Sequence, residues 1–388
     1  MPRSVVLLFF LSCACLLSAQ SASRKDLDVV APDGIKLRAT FFSAGKPGPA
    51  VMLLHMCNTD RKSWEPVALG LSQAGISALT IDNRGFGESG GPRYENGAPA
   101  TQEQVQQKWP DDFDAAYQFL MSQPGVDKSR VAIGGGSCGV GNAIRLAERH
   151  PEVKSLVLLA GASDMSGINF ISQHPQRPIF TAAAADDEYN PATIDIMQWL
   201  ADISGNPRSR FVGFKNGRHG TEIFGPHPEL VSQIVDFFVD TLITAPVNLQ
   251  QQVVPKETLA RAFWTLANEP GGAERAVAMC RQKRKQDADA SICSEYPVNL
   301  LAYAKLQAGK KEEALELFKL NAEAYPTSAN AQDSLADGYM AVGRRDLALA
   351  AEKKCISLLP ADPNDAEFKK QLEKAAEDKV AQLTSERK

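Results

Sequence analysis

The sequence predicts an α/β domain with a mostly parallel sheet covered by helices on both faces, followed by an all-helical repeat domain. Two patterns support this prediction. Between residues 27 and 242, short apolar segments rich in β-branched residues alternate with longer helical segments, as they do in parallel sheets. Nearer the C-terminus, residue types recur at intervals of 34 positions, which is typical of stacked helix pairs. The length of 388 residues suits one mid-sized domain and one smaller domain.

The composition excludes several classes of protein. Hydrophobic residues make up 44% and charged residues 23% of the chain, which indicates a folded globular protein rather than a disordered one. The net charge of −4 argues against a nucleic-acid partner, since such binding needs a concentrated basic surface. The mean hydropathy of −0.22 excludes a polytopic membrane protein, and we expect no membrane span in the mature form.

Residues 1–21 are predicted to be a signal peptide. Arg3 supplies the positive charge, and the apolar run Val5–Leu17 is shorter than the roughly 18 residues that a spanning helix needs. Small residues near Ser21 indicate a cleavage site there, with an uncleaved anchor as the alternative. The sequence therefore predicts a periplasmic or secreted protein, in an oxidising compartment where disulfides form.

The seven cysteines fall into two groups. Cys13 and Cys15 lie in the signal, and lipid attachment to either is an alternative that the preceding residues fit poorly. The mature chain keeps five others, at positions 57, 138, 280, 293 and 355. Because five is an odd number, at least one of them stays free.

The elements of the first domain follow in order along the chain. An early hairpin is predicted to turn at Asp33-Gly34. Strands are predicted at Thr40–Phe42, Val51–Leu54, Ile76–Ile81, Val131–Ile133, Leu156–Leu159, Ile179–Ala183 and Phe211–Phe214. Helices are predicted at 62–74, 111–122, 139–149, 191–203 and 228–242. Because ligands of parallel sheets bind at the carboxyl ends of the strands, the residues just after each strand are the candidates for chemistry.

The candidate nucleophile is Ser137, in the segment GGGSCG at 134–139 that follows a predicted strand. A glycine lies two positions before and two positions after this serine, which matches a nucleophile elbow, a tight strand-to-helix turn where larger side chains would clash. A plain glycine-rich turn is the alternative, whereas a phosphate loop is disfavoured because no Gly-Lys-Ser/Thr signature is present. Cys138 is a rival nucleophile, but it lacks this symmetric pair of glycines.

The candidate base and acid come later, in the order that this kind of fold requires: nucleophile, acid, base. His219 lies in the loop directly after the last predicted strand, Phe211–Phe214, and is therefore the candidate base. The strand Ile179–Ala183 is followed by Asp186 and Asp187. We favour Asp187 as the acid that orients the imidazole, and Asp186 is the alternative.

The candidate oxyanion hole consists of two backbone N–H groups. One belongs to Cys138, the residue after the nucleophile, and the other to Cys57, in the loop after an early strand. His55, which ends that strand, is then structural. No cofactor or metal is predicted, since the chain has neither an HExxH nor a CxxC pattern.

From about residue 24 to 245, the chain resembles an α/β-hydrolase, nearest to the dienelactone hydrolase-like branch. The segments that carry the resemblance, besides the candidate catalytic residues, are Asp33-Gly34, Gly48-Pro49-Ala50-Val51 ahead of His55, and residues 81–90, 112–117 and 126–131. The resemblance implies hydrolysis of ester-like bonds through an acyl-enzyme. The chain departs from the pattern twice: Ser137 replaces the cysteine of dienelactone hydrolases, and His55-Met56 replaces the usual His-Gly pair.

Two disulfides are predicted. Two N–H groups that converge on one oxygen bring their Cα atoms to roughly 5–7 Å, a separation that a disulfide accepts. We therefore predict a Cys57–Cys138 disulfide that fixes the oxyanion hole, with two free thiols as the alternative. A second pair, Cys280 with Cys293, is expected on or beside adjacent helices.

The C-terminal region resembles tetratricopeptide repeats. Leu301, Gly309, Ala314 and Pro326 recur 34 positions later as Leu335, Gly343, Ala348 and Pro360. Helices are predicted at about 256–267, 273–286, 297–308, 312–325, 328–341 and 345–358, with a solvating cap at 363–380. The alternative is an unrelated helical bundle. The predicted domains are a signal at 1–21, a hydrolase domain at 22–245, a linker at 246–258 and helical repeats at 259–388.

The sequence thus predicts an exported serine hydrolase that cleaves carboxylic ester-like bonds through an acyl-enzyme on Ser137. A peptidase or thioesterase using the same triad is one alternative. A non-catalytic scaffold, whose helical repeats bind a partner, is the other. The expected substrate is a small-molecule or polymer-attached ester, and the repeats would serve a protein partner or self-association.

Overall fold

The computed structural model describes residues 23–287 and 292–385, so the predicted signal at 1–21 lies outside the described residues. Within them, one sheet contains the strands Ser23–Val30 (β1), Lys36–Ser43 (β2), Gly48–Leu54 (β3), Ser77–Ile81 (β4), Val126–Gly136 (β5), Val153–Leu159 (β6), Ile179–Ala184 (β7) and Arg210–Phe214 (β8). Their spatial order is β1-β2-β4-β3-β5-β6-β7-β8. The β1–β2 and β2–β4 pairs are antiparallel and the others parallel, so the predicted hairpin and the mostly parallel sheet are confirmed.

Helices connect the strands on both faces of the sheet. They are Glu65–Gln73 (α1), Pro99–Gln106 (α2), Trp109–Ser122 (α3), Cys138–Arg149 (α4), Met165–Gln173 (α5), Thr193–Ser204 (α6) and Glu229–Val239 (α7). The prediction missed α2 and α5. Only Val105 of α2 is buried, so this helix has no apolar stripe in its sequence. The nine residues of α5 form the crossover between two parallel strands, which the topology rather than the local pattern demands.

The buried faces of the sheet explain why its strands are continuous apolar runs rather than alternating ones. All seven residues of β3 are buried. One face packs against α1 and α7, which contribute Leu71 and Phe237. The opposite face packs against α3, α4 and α6, which contribute Phe113, Ile144 and Trp199. The central strands therefore form a rigid platform whose carboxyl ends carry the candidate site.

The C-terminal region is all-helical, as predicted. Its helices are Leu259–Asn268 (α8), Ala273–Gln286 (α9), Glu295–Gln307 (α10), Lys311–Ala324 (α11), Ala329–Ala341 (α12), Arg345–Leu358 (α13) and Ala366–Ser385 (α14). α12 begins and ends 34 residues after α10 (329−295 and 341−307), and α13 does the same after α11 (345−311 and 358−324). Gly309 and Gly343 have φ angles of 76° and 74°, so the turn within each pair uses a conformation that favours glycine.

The two domains share a contact between α6 and α8. The rings of Trp199 and Trp264 meet edge to face with centroids 5.3 Å apart, and Arg261 Nη1 donates to the carbonyl of Ile203 at 2.6 Å. The predicted linker, 246–258, contains no helix or strand and leads directly into this contact. One hydrophobic cluster continues from the sheet through α6 into α8–α11, so the helical domain packs on the sheet domain. Within the described ranges, no helix combines the length and apolar character that a membrane crossing requires.

Candidate active site

Ser137 lies between β5 and α4, at the carboxyl end of a central strand. Its backbone has φ 52° and ψ −121°, which is unusual for a residue other than glycine. A side chain at Gly135 would overlap the carbonyl of Gly139, and one at Gly139 would approach Leu54 O at 2.6 Å. The glycines of the predicted elbow therefore allow three backbone segments to pack closely, and they hold the serine at the tip of the turn.

His219 bridges the serine and an aspartate. Its Nε2 lies 2.7 Å from Ser137 Oγ, and its Nδ1 lies 2.6 Å from Asp187 Oδ2. The other oxygen of Asp187 accepts the backbone N–H groups of Tyr189 and Asn190, both at 3.0 Å. Since the carboxylate has no proton to donate, Nδ1 carries the imidazole proton and Nε2 presents a lone pair to the serine hydroxyl. This arrangement suits general-base activation of Ser137.

The structure also separates the two candidate acids. Asp187 contacts the imidazole, whereas Asp186 Oδ1 accepts the N–H groups of Gly217 at 2.8 Å and Arg218 at 3.2 Å. Arg218 has a φ of 64°, so the turn just before His219 is itself strained. Asp186 thus positions the loop that carries His219 and does not touch the imidazole in this hydrogen-bond network.

Cys57 and Cys138, the two proposed oxyanion donors, form a disulfide with their Cα atoms 5.9 Å apart. Cys138 is the first residue of α4, and the first N–H groups of a helix have no partner within it. The partial positive charge at the start of the helix also favours a developing anion at this point. The disulfide therefore joins the start of α4 to the segment that follows β3.

His55 helps to hold that segment in place through its hydrogen bonds. Its ring is completely buried; Nε2 accepts the N–H of Asn83 at 2.8 Å and Nδ1 donates to the carbonyl of Met56 at 2.5 Å. Burial lowers the pKa of His55 below its ordinary value, which keeps the ring neutral in this tautomer. A fixed neutral imidazole thus orients the chain directly before Cys57.

Met56 is a site residue that sequence reasoning missed. Its Sδ accepts the backbone N–H of Thr221 at 3.1 Å, and a Cβ at Gly220 would overlap this sulfur. The methionine therefore connects the segment before Cys57 to the loop after His219. The sequence offered one indication of this role: Met56 occupies the position where the resemblance implies a glycine.

Tyr189 is the second residue that was missed. Its ring meets His219 edge to face with centroids 5.0 Å apart, and its hydroxyl accepts from Asn58 Nδ2 at 3.0 Å. With 43% of its surface exposed, Tyr189 forms an open wall of the site rather than part of the core. Its place in the sequence, two residues after Asp187, could have indicated this role.

A second disulfide joins Cys280 of α9 to Cys293, just before α10, with Cα atoms 6.3 Å apart. Among the described residues, Cys355 is the cysteine outside a disulfide, and burial raises the pKa of its thiol to about 12. It lies beside Asp333 and Glu352, close enough for the three to share a metal ion. The ammonium of Lys379, 2.9 Å from Asp333 Oδ1, already supplies a cation there, so we assign no metal to this group.

The sheet order, the helices on both faces and Ser137 at the end of a central strand together define an α/β-hydrolase fold. Residues 45–185 match the family model described as serine aminopeptidase, S33. This segment includes Ser137 and ends before Asp187 and His219. The family match thus covers the candidate nucleophile, while the other two candidate positions rest on the geometry described above.

Known proteins similar to this chain include hydrolases. The thiohydrolase apmlB of Arthrinium phaeospermum is 35% identical over 131 residues, which is 34% of this chain and 40% of that protein. An uncharacterized protein of Mycobacterium tuberculosis is 30% identical over 177 residues, covering 45% of this chain and 58% of that protein. The chain spans about half the length of these curated relatives. The solved esterase Pf2001 of Pyrococcus furiosus has a TM-score of 0.45 at 19% identity, covering 57% of this chain and 94% of that one.

Proposed function

We propose that this protein is a serine hydrolase that cleaves carboxylic ester-like bonds through an acyl-enzyme on Ser137. One observation carries the proposal: His219 lies 2.7 Å from Ser137 Oγ through one ring nitrogen and 2.6 Å from Asp187 through the other. A purely structural role for His219 would not explain why its partner, Ser137, has a strained backbone at the start of a helix. The match of residues 45–185 to a serine peptidase family supports the same class of chemistry.

In the proposed mechanism, His219 Nε2 takes the proton of Ser137 as Oγ attacks the carbonyl carbon. The N–H groups of Cys57 and Cys138 hold the negative oxygen of the tetrahedral intermediate. His219 then gives its proton to the departing alcohol, which leaves the acyl group on Ser137. Water, activated by the same imidazole, attacks the acyl-enzyme and releases the acid.

Labelling with a fluorophosphonate probe tests the nucleophile. We expect the wild type to be labelled, Ser137→Ala to be unlabelled, and Ser137→Ala to lose at least about three decades of kcat/KM. Ser129→Ala is a matched control, because Ser129 is an exposed serine near the start of β5 whose hydroxyl donates to Asp127. An unlabelled wild type would favour the scaffold alternative, and equal labelling of Ser137→Ala would move the nucleophile elsewhere.

Thioester hydrolysis is a second candidate activity, and the relatives named as thiohydrolases favour it. The same triad also serves peptide bonds, as the description of the matching family implies. A matched panel of one acyl group as oxygen ester, thioester and anilide separates the three. A dienelactone hydrolase-like preference would appear as faster turnover of lactones than of open-chain esters.

We also propose that the protein is exported and that its C-terminal helices are tetratricopeptide-like repeats. Two disulfides suit an oxidising compartment, and helix bounds that recur every 34 residues suit such repeats. Cell fractionation followed by intact-mass measurement tests export: the mature chain should lack about 21 residues and contain two disulfides. Cytoplasmic protein that keeps residues 1–21 would contradict this proposal.

A further inference from the structure

Two cavities border residues of the candidate site, and both are lined by residues of the sheet domain and of the helical domain. The first, of about 330 Å³, runs along α4 and is bordered by Cys138. The second, of about 290 Å³, is bordered by Tyr189, whose ring packs on His219. Tyr296 of α10 borders both of them, so the helical domain supplies a wall shared by the two cavities.

The proposed mechanism distinguishes the two cavities. His219 protonates the leaving group, so the alcohol part of a substrate must lie on the side of His219 and Tyr189. The carbonyl oxygen lies at the N–H of Cys138, and the acyl chain must extend away from the leaving group. The cavity that starts at Cys138 and follows α4 is therefore the place for the acyl chain.

The floor of this acyl cavity is polar. Cys138, Gly141, Asn142 and Arg145 border it and are spaced i, i+3, i+4 and i+7, which places them on one face of α4. Asn142 is only 8% exposed, and its Nδ2 has no hydrogen-bond partner among the described residues. A buried polar group without a partner costs free energy that a ligand oxygen could recover. Because the amide carries both a donor and an acceptor, it can rotate to donate to such an oxygen.

An ion-paired guanidinium, that of Arg145, borders the acyl cavity farther along α4 from Cys138. Asp164 caps α5 through Oδ1, which accepts Gly167 N, and its Oδ2 accepts Nε and Nη2 of Arg145 at 3.2 and 2.8 Å. The hydrogen bonds of this guanidinium within the described part of the chain use Nε and Nη2, which leaves Nη1 available to a ligand. Tyr296, whose hydroxyl donates to Ser163 O at 3.3 Å, closes the opposite wall.

We infer that this cavity binds the acyl part of the substrate and selects an acyl chain that carries an oxygen acceptor, a ketone or a carboxylate, over a plain alkyl chain. The inference rests on the proposed function. At a rise of about 1.5 Å per residue, Asn142 lies about 6 Å along α4 from Cys138 and Arg145 about 10.5 Å. An extended acyl chain of about five carbons therefore places an oxygen at its far end beside Asn142.

Three ethyl esters with the same five-carbon acyl chain test this inference: ethyl pentanoate, ethyl 4-oxopentanoate and monoethyl glutarate. We expect kcat/KM to be at least about tenfold higher for the two oxygenated esters than for the pentanoate. Asn142→Leu keeps the size of the side chain; it should reduce the ratio for the 4-oxopentanoate to near one and lower the ratio for the glutarate as well. Arg145→Met should reduce the ratio for the glutarate alone. Titration with a fluorophosphonate gives the concentration of active enzyme for each variant, so partial misfolding does not distort the ratios.

The outcomes separate the inference from the proposed function. Wild type that is labelled by the probe but prefers pentanoate, or ratios that Asn142→Leu leaves unchanged, would overturn the inference alone. Wild type that neither reacts with the probe nor hydrolyses any of the three esters would overturn the proposed function. Tyr296→Ala adds a readout for the helical wall: KM for all three esters should rise several-fold with kcat less affected, and an unchanged KM would remove Tyr296 from the site.

Discussion

Both domains contain a buried cluster of ionisable side chains, and the charges of the two clusters compared below are balanced differently. At the end of the sheet, the carboxylate of Asp187 faces one imidazole, His219, at 2.6 Å. Between α12, α13 and α14, the carboxylates of Asp333 and Glu352 share the ammonium of Lys379, at 2.9 and 3.4 Å. Both clusters combine carboxylates with a nitrogen base. In the first, Asp187 has its own hydrogen-bond partners, whereas in the second two carboxylates share one ammonium.

The consequences differ accordingly. In the triad, both oxygens of Asp187 and both nitrogens of His219 have hydrogen-bond partners. In the helical cluster, neither oxygen of Glu352 has a hydrogen-bond partner among the residues that the structure describes, and burial raises the pKa of this acid to about 8. The complete hydrogen bonding of His219 keeps its proton at Nδ1, as the proposed mechanism requires. An excess of buried carboxylate instead makes stability depend on pH.

The largest expected effect comes from changing Asp187, the acid that hydrogen-bonds His219. Asp187→Asn should lower kcat/KM by about three decades, because an amide cannot stabilise the imidazolium and can hold the wrong tautomer. Asp186→Asn is the matched control, since Asp186 accepts hydrogen bonds from the backbone N–H groups of Gly217 and Arg218, and we expect a loss below tenfold. Steady-state kinetics on one ester measure both variants. A larger loss for Asp186→Asn would reverse the roles of the two acids.

The next effect concerns Lys379, whose ammonium pairs with the carboxylates of the helical cluster. Lys379→Met should lower the free energy of unfolding by about 3 kcal/mol, because removal of the ammonium leaves several carboxylates buried together. Lys374→Met is the matched control on the same helix, at an exposed position, and should change it by less than about 0.5 kcal/mol. Denaturant unfolding measures both. Equal stability of the two variants would show that the carboxylates are neutral without Lys379.

Glu352 makes the helical domain sensitive to pH. Its pKa of about 8 in the folded protein lies above the ordinary 4.5, so its contribution to stability is complete below pH 4.5 and is lost as the pH rises through 8. We expect the free energy of unfolding to fall on the order of 2 kcal/mol between pH 5.5 and 8. The groups that face Glu352 are Asp333 and Asp337 of α12, Cys355 of α13, Lys379 of α14 and, beyond Asp337, Tyr303 of α10.

Glu352→Gln should flatten this pH profile, since the amide does not titrate. Thermal unfolding at pH 5.5, 6.5, 7.5 and 8 compares the variant with the wild type. A wild-type profile that stays flat would contradict the prediction. A slope that persists in Glu352→Gln would assign the proton to another carboxylate such as Asp333, whose pKa burial also raises.

The sequence predicted the sheet because its strands are buried on both faces and appear as apolar runs. α5 was missed for a different reason: nothing in its nine residues distinguishes it from a loop, and only the crossover between β6 and β7 requires it. The helical bounds were predicted closely because a 34-residue period constrains two helix pairs at once.

The residues of the candidate site likewise fall into those that the sequence predicts and those that it does not. Ser137 and His219 follow from local motifs and chain order, since glycine spacing and strand ends are visible in the sequence. The choice between Asp186 and Asp187 was open, because adjacent residues point in different directions that no pattern reveals. Met56 and the cluster around Lys379 depend on contacts between segments more than 40 residues apart, which one sequence does not contain.

In the described ranges, each domain contains one disulfide, and that of the sheet domain joins the two proposed oxyanion donors. Cys57→Ala/Cys138→Ala keeps both backbone N–H groups but releases the segment after β3 from α4. We expect kcat to fall about tenfold with KM little changed, because the donors act mainly on the transition state. Cys280→Ala/Cys293→Ala is the matched control and should keep kcat while lowering the unfolding midpoint. Full kcat in the first variant, measured at a temperature where both remain folded, would show that His55 and Met56 alone position Cys57.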